Sequence, residues 1–351
     1  MTKIDIFSGF LGAGKTTLIK KLIADGYNGE KLVLIENEFG EIGIDGGFLK
    51  ESGIEITEMN SGCICCSLVG DFGDALKKVL DKFNPDRILI EPSGVGKLSD
   101  VIGAVSTILS DTVVLNSATA VVDAGKCKMY MKNFGEFFNN QIENAGCVVL
   151  SRTDLVPPEK TSQAVELIKS KNQKAAIVTT PINILSGQDI LSAMEGKESV
   201  DTLKALLSES TCPVCGHEHH HDHDHEHHHE DSNHHHHDHE HDHEHDHEGC
   251  CCGHDHEHHL ADEVFESFGE ETANIYTAEK IRSVLADLED SRKYGIVLRA
   301  KGYVNSNGDW IYFDYTPGES DIRTGAPAVT GRICVIGSQL NHNALKKAFE
   351  L

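Results

Sequence analysis

Residues 3–17 read Lys3-Ile4-Asp5-Ile6-Phe7-Ser8-Gly9-Phe10-Leu11-Gly12-Ala13-Gly14-Lys15-Thr16-Thr17. The first half alternates as a strand does and ends in glycine. The second half satisfies Gly, any four residues, Gly-Lys-[Ser/Thr], and Leu18, Ile19, Leu22 and Ile23 then fall at helical spacing. A strand, a glycine-rich loop and a helix in that order form the context in which this pattern cradles phosphates. Gly9, Gly12, Ala13 and Gly14 let successive backbone N–H groups turn toward an anion, and the helix that starts there adds its positive dipole end. Lys15 is expected to reach the terminal phosphate oxygens of a nucleoside triphosphate, Thr16 to ligate magnesium, and Thr17 to complete the binding set.

Outward from this unit, strand-like and helix-like segments alternate. Strands are expected at 31–35, 53–58, 87–91, 118–123, 147–150 and 175–179, with helical patterns such as 71–83 and 159–170 between most of them. The expectation is an α/β phosphate-loop domain with a mostly parallel sheet, whose ligand loops gather at the carboxyl ends of the strands. Between Cys212 and His259 the composition collapses to His, Asp, Glu and Cys, which cannot bury a core, so a disordered linker is expected there. Periodicity resumes with a helix at 278–288, strands at 295–303 and 310–315 around Asn305-Ser306-Asn307-Gly308, a strand at 332–336 and a helix at 343–349, a small α+β domain. The boundaries read as 1–208, 209–261 and 262–351.

Of the 23 histidines, 22 lie in residues 217–259, together with 14 of the 56 acidic residues and no Lys or Arg, so this tract carries −14 of the formal charge of −25. Neither the tract nor the remainder offers a basic patch, and nucleic acid is not an expected partner. No apolar run approaches the ~20 residues that cross a bilayer, and the chain enters its first strand at once, so a cytoplasmic protein without a membrane partner is expected. In that setting the 11 cysteines are expected to be reduced and used for metal or redox chemistry rather than as a disulfide scaffold.

Three further segments carry chemistry. Gly62-Cys63-Ile64-Cys65-Cys66 puts three thiols within four residues. Three thiolates supply most of a tetrahedral sphere for a borderline ion and leave a fourth position open, with Glu38 or Glu41 as candidate donors; buried structural cysteines and a redox pair are the alternatives. Arg87-Ile88-Leu89-Ile90-Glu91-Pro92-Ser93-Gly94 ends a strand in a carboxylate suited to magnesium's water shell, and the Gly94 N–H is placed to meet the γ-phosphate. Ser151-Arg152-Thr153-Asp154 is a variant of [Asn/Thr/Ser]-Lys-x-Asp, in which the carboxylate accepts two hydrogen bonds from guanine and the Arg152 stem is expected to stack on the base. Cys212-Pro213-Val214-Cys215 and Cys250-Cys251-Cys252 bracket the tract and are read, with His219, His221, His223, His225, His239, His241, His243 and His245, as exchanging metal ligands, a closed four-thiolate clip across the loop being the alternative.

Taken together, Gly-Phe-Leu-Gly-Ala-Gly-Lys-Thr-Thr (9–17), Glu-Asn-Glu-Phe-Gly-Glu (36–41), Gly-Cys-Ile-Cys-Cys (62–66), Glu-Pro-Ser-Gly (91–94), the histidine tract and a C-terminal region with Arg299-Ala300-Lys301-Gly302 and Ile336-Gly337 resemble the CobW-like metallochaperone GTPases. The resemblance covers almost the whole chain. It implies GTP hydrolysis with Mg²⁺, coupled to a divalent metal (Zn²⁺ first, Co²⁺ or Ni²⁺ as alternatives) held at Cys63, Cys65 and Cys66 and delivered to a client metalloprotein; a homodimer is compatible with it. Ser151-Arg152 and Pro92-Ser93 stand where other members often have Asn-Lys and Thr-Thr. Lys15, Thr16 and Glu91 are the residues expected to carry hydrolysis. The competing readings are a metal storage or buffering protein with a regulatory nucleotide site and a small-molecule or nucleotide kinase.

Overall fold

The computed structural model describes residues 1–36, 55–58, 69–196, 261–307, 309–326 and 328–351. The expected γ-phosphate loop beyond Glu36, with Glu38 and Glu41, lies outside the described residues. So do Cys63, Cys65, Cys66, the cysteine pairs and triplet at 212–215 and 250–252, and the histidine tract.

In the N-terminal region the elements run β1 (Thr2–Gly9), α1 (Lys15–Asp25), β2 (Leu32–Glu36), β3 (Glu55–Glu58), α2 (Val69–Phe83), β4 (Arg87–Glu91), α3 (Leu98–Ser106), β5 (Val113–Asp123), α4 (Cys127–Asn133), α5 (Gly135–Glu143), β6 (Cys147–Ser151), α6 (Pro158–Lys171), β7 (Ala176–Val178) and α7 (Gly187–Met194). The strands form one seven-stranded sheet ordered β3-β2-β4-β1-β5-β6-β7, with every neighbouring pair parallel. Helices cover both faces, which is why the central strands read as near-continuous apolar runs. Along β4, Ile88 and Ile90 join the cluster packed by Leu76 of α2, Val101 of α3 and Phe137 of α5. Leu89 faces the other cluster, with Leu18 and Leu22 of α1 and Met194 of α7.

The C-terminal region adds β8 (Glu266–Thr272), β9 (Ile296–Ser306), β10 (Asp309–Thr316), β11 (Glu319–Gly325) and β12 (Gly331–Ser338), an antiparallel sheet ordered β11-β10-β9-β12-β8. Helices Ala278–Asp287 and His342–Phe349 bury Ile281, Leu285, Leu345 and Phe349 against Phe313 and Val335 of this sheet. Leu298, Cys334 and Ile336 belong instead to the cluster of the N-terminal region, together with Phe265. The ring of Phe265 lies 5.0 Å from Phe137, 5.5 Å from Phe134 and 6.1 Å from Phe10, which is itself in the phosphate loop. The α+β region therefore has a core of its own and also shares one with the N-terminal region. Among the described residues no helix is long and apolar enough to cross a membrane.

At the amino-terminal edge of the parallel sheet sits a buried charge network. The Arg87 guanidinium, 1% exposed, pairs with the fully buried Asp5, donates to Glu30 at 2.5 and 3.0 Å and to Glu195 at 3.1 Å, and lies 4.5 Å over the Tyr27 ring. Asp5 also accepts from Ser117 at 2.6 Å, Asn116 at 2.8 Å and Tyr27 at 3.2 Å. Burial alone would lower the Arg87 pKa, but its hydrogen bonds to Glu30 and the Asp5 charge hold it well above the ordinary value.

Candidate functional site

The phosphate loop joins β1 to α1 at the carboxyl edge of the sheet, as expected from the sequence. Its glycines are there for backbone reasons. Gly9 (φ +145°) lies so near β5 that a Cβ would sit 2.4 Å from the Val121 carbonyl oxygen, and Gly12 and Gly14 take φ of +69° and +99°. Lys15 is buried and donates from Nζ to the Gly9 carbonyl at 2.9 Å and the Phe10 carbonyl at 3.5 Å, so the ammonium lies over the loop's own acceptors. One residue on, the Thr16 hydroxyl donates to Glu91 at 3.0 Å. The sheet brings these two together, because Glu91 ends β4, the strand beside β1.

The loop after β4 closes against the phosphate loop. At Gly94 a Cβ would stand 2.9 Å from the Leu11 nitrogen, a position that only glycine fits. A residue that the sequence reading passed over holds this loop: buried Gln141 of α5 donates from Nε2 to the carbonyls of Gly94 at 3.1 Å and Gly96 at 2.8 Å. Its signal is visible in the sequence, as an amide on the apolar stripe made by Phe137, Phe138 and Ile142.

Beyond β6, Ser151 is buried next to Gly14, and Arg152 takes φ +58°. The Arg152 head group makes its contacts on the phosphate-loop side, while the stem remains the part expected to meet a base. The guanidinium turns back to the phosphate loop, donating to the Gly12 carbonyl at 3.3 Å, lying 3.6 Å from the Asp123 carboxylate and pairing with Glu319 of the C-terminal region. Asp123 meanwhile accepts from the backbone of Gly125 at 2.8 Å and Lys126 at 3.2 Å. Asp154 is exposed, two residues further along. Of the expected nucleotide residues, Gly9 through Thr17, Glu91, Gly94, Ser151 and Arg152 are thus gathered around one loop.

Above that loop opens a cavity of about 720 Å³, within the range of small-molecule sites. It is lined by Gly14, Lys15, Thr16 and Glu91 and also by Thr316 and Glu319 of the C-terminal sheet, which no local sequence pattern connects with nucleotide.

The described residues contain no group of three or more His, Cys, Asp or Glu able to hold a metal ion. Cys127 and Cys147 are buried; burial and the Asp123 charge push the Cys127 thiol up to about 12, and burial does the same to Cys147. A thiol held neutral in this way is a packing group, unlike the cysteines expected to bind metal.

Residues 3–179, just over half of the chain, match the family described as CobW/HypB/UreG, nucleotide-binding domain, and residues 265–351 match the cobalamin synthesis protein cobW C-terminal domain. A zinc chaperone CobW of Sinorhizobium sp is 32% identical over 226 residues, 53% of this chain and 64% of the relative. A zinc chaperone YeiR of Escherichia coli is 33% identical over 167 residues, 47% and 51% of the two chains. A zinc-regulated GTPase metalloprotein activator 1 of Schizosaccharomyces pombe is 28% identical over 231 residues, 60% and 55% of the two chains. The chain therefore spans between about half and two thirds of the length of these relatives.

Proposed function

This chain belongs to the CobW/HypB/UreG nucleotide-binding family, and from that premise we propose that it is a GTP-hydrolysing chaperone that delivers a divalent transition metal, zinc first, to a client metalloprotein. The observation that carries the nucleotide half of the proposal is the meeting of Lys15, Thr16 and Glu91 at one end of the parallel sheet. In this reading the terminal phosphates displace the loop carbonyls as partners of the Lys15 ammonium, whose charge opposes the charge that builds up as phosphate leaves. Gln141 fixes the Gly94–Gly96 backbone so that the Gly94 N–H is aimed before the nucleotide arrives, and catalysis rests on positioning and charge neutralisation. The Thr16 hydroxyl and Glu91 carboxylate are hard oxygen donors 3.0 Å apart, a pair suited to magnesium, which when bound would neutralise phosphate charge. Asp154 favours guanine over adenine, in keeping with the Schizosaccharomyces pombe relative, a zinc-regulated GTPase.

The metal half rests on the three thiols of Cys63, Cys65 and Cys66 in the segment between β3 and α2. β3, the strand that precedes the thiols in sequence, ends with Glu58 in register with Glu36, and Glu36 is in register with Glu91, so that strand ends at the same sheet edge as Glu91. That neighbourhood supports linkage between nucleotide state and metal hold. The zinc chaperone names of the relatives favour zinc as cargo, and the histidine tract would serve as a reservoir that refills the thiol site.

The test is GTP turnover by purified full-length protein and its Lys15→Ala variant. Turnover is expected to fall about 10²- to 10³-fold, as for loss of one oriented donor to the developing charge, while the melting temperature stays within a few degrees. Unchanged turnover would remove the hydrolytic reading.

A further inference from the structure

The tip of the β10–β11 hairpin in the C-terminal sheet reaches the phosphate loop. Thr316 and Glu319 are paired across the turn, which Pro317 and Gly318 make; proline fixes one φ, and Gly318 takes the positive value of +83° that a side chain would resist. The tip is thus a short, stiff element that presents Thr316 and Glu319 together.

Both residues land on the nucleotide side. A Cβ on Gly12 would lie 2.4 Å from the Thr316 methyl, so the hairpin rests directly on the phosphate-loop backbone. The Thr316 hydroxyl accepts from Lys126 Nζ at 2.9 Å, and Glu319 pairs with Arg152 and lies 3.9 Å from Lys126. Arg152 in turn donates to the Gly12 carbonyl. The chain of contacts therefore closes a ring: phosphate loop, Arg152, Glu319, Thr316 and back to the loop. Burial holds the Lys126 ammonium below its ordinary value despite the Asp123 carboxylate, with the nearby Arg152 charge acting in the same direction as burial. Two cations lie together here beside Asp123, and Glu319 adds a second carboxylate placed to serve both.

We infer that Glu319 is a positioning residue of the nucleotide site: the C-terminal hairpin holds Arg152 against the phosphate loop, so this domain completes the nucleotide pocket as well as packing against it. The inference rests on the proposal that the cavity takes GTP. Its physical basis is pre-organisation. Arg152 has a left-handed backbone, two residues before Asp154, and a long side chain with many rotamers. Held by Glu319, the Arg152–Asp154 turn meets the guanine nucleotide already ordered; without Glu319 that ordering must be supplied on binding. The consequence falls on binding and leaves the reacting phosphate largely untouched.

The experiment is a set of full-length variants, Glu319→Ala, Glu319→Gln, Arg152→Ala and the Arg152→Ala/Glu319→Ala double, measured for GTP affinity with a fluorescent GTP analogue and for steady-state turnover. Glu319→Ala is expected to weaken GTP about tenfold, the order of one charge-assisted contact, and to raise KM in step with less than a twofold change in kcat. Glu319→Gln, which keeps a hydrogen-bonding oxygen, should recover part of the loss. The double variant should lose no more than Arg152→Ala alone, because the two residues act as one unit. Additive losses in the double variant, GTP affinity in Glu319→Ala within twofold of the parent, or tighter binding would overturn the inference while leaving GTP binding in place. A parent protein that does not bind GTP would overturn the functional proposal first and this inference with it. The pair is partly exposed and contributes little to folding, so melting temperatures of the single Glu319 variants should match the parent within a few degrees.

Discussion

The two edges of the parallel sheet carry charge in opposite ways. At the amino-terminal edge Arg87 is surrounded by Asp5, Glu30 and Glu195, and Asp5 is further saturated by Ser117, Asn116 and Tyr27. These partners are side chains locked in register, and no ligand could replace them without opening the core. At the carboxyl edge Lys15 lies over loop carbonyls, Thr16 meets Glu91, and Arg152 reaches Gly12 and Glu319 beside an open cavity. Such partners can be exchanged for phosphate oxygens. The same fold thus uses charge as a rivet at one edge and as a preassembled receptor at the other, and the difference lies in how replaceable each partner is.

The comparison breaks most sharply at Arg87. Arg87→Ala leaves Asp5 buried without its counter-charge and is expected to cost about 3–5 kcal/mol of stability, read by denaturant unfolding. Any nucleotide-affinity change in the surviving folded fraction should be small. A variant as stable as the parent but deficient in GTP binding would mean that the two edges are not separable in this way.

A smaller effect distinguishes the rivet by pH. Burial would raise the Glu195 pKa, but hydrogen bonds from Asn116 and Arg87, with the charges of Lys3 and Arg87, hold it below the ordinary glutamate value. A carboxylate with a depressed folded pKa contributes stability that is fully present above its unfolded value, near 4.3, and is lost as pH falls through the folded value. Unfolding free energy should therefore decline below about pH 4.3, and Glu195→Gln should flatten that part of the profile. Equal slopes in parent and variant would show that Glu195 is not an anchor of the network.

Much of the receptor edge was legible because phosphate binding constrains backbone and side chain together. The spacing of Gly9, Gly14, Lys15 and Thr16 and the position of Glu91 at a strand end carry their own geometry, and the strand at 87–91 coincides with β4. The lower edge was harder to read. The strand expected at 118–123 begins at Val113, since Asn116 and Ser117 interrupt the apolar pattern in order to serve Asp5. β8 and β11 lack a strand signal for a related reason: Glu-Ser-Phe-Gly-Glu-Glu-Thr and Glu-Ser-Asp-Ile-Arg-Thr-Gly are polar edge strands of the C-terminal sheet, where charges blunt unwanted pairing and erase the alternation that marks a strand. Missing β11 also hid Glu319, because its role depends on a contact with Arg152 more than 160 positions away in the chain, which no local pattern encodes.

The most direct test of the account is the GTP affinity of full-length protein with and without stoichiometric zinc, set beside the Cys63→Ser/Cys65→Ser/Cys66→Ser variant. If nucleotide state governs how tightly the thiols hold metal, linkage requires bound zinc to shift GTP affinity by the same factor, and coupling of about 1–3 kcal/mol, or 5- to 150-fold, is ordinary for linked sites. The account predicts a shift in that range in the parent protein and its loss in the triple variant, which should still bind GTP. Identical GTP affinity with and without zinc in the parent, or a zinc-dependent shift that survives the loss of all three thiols, would contradict it.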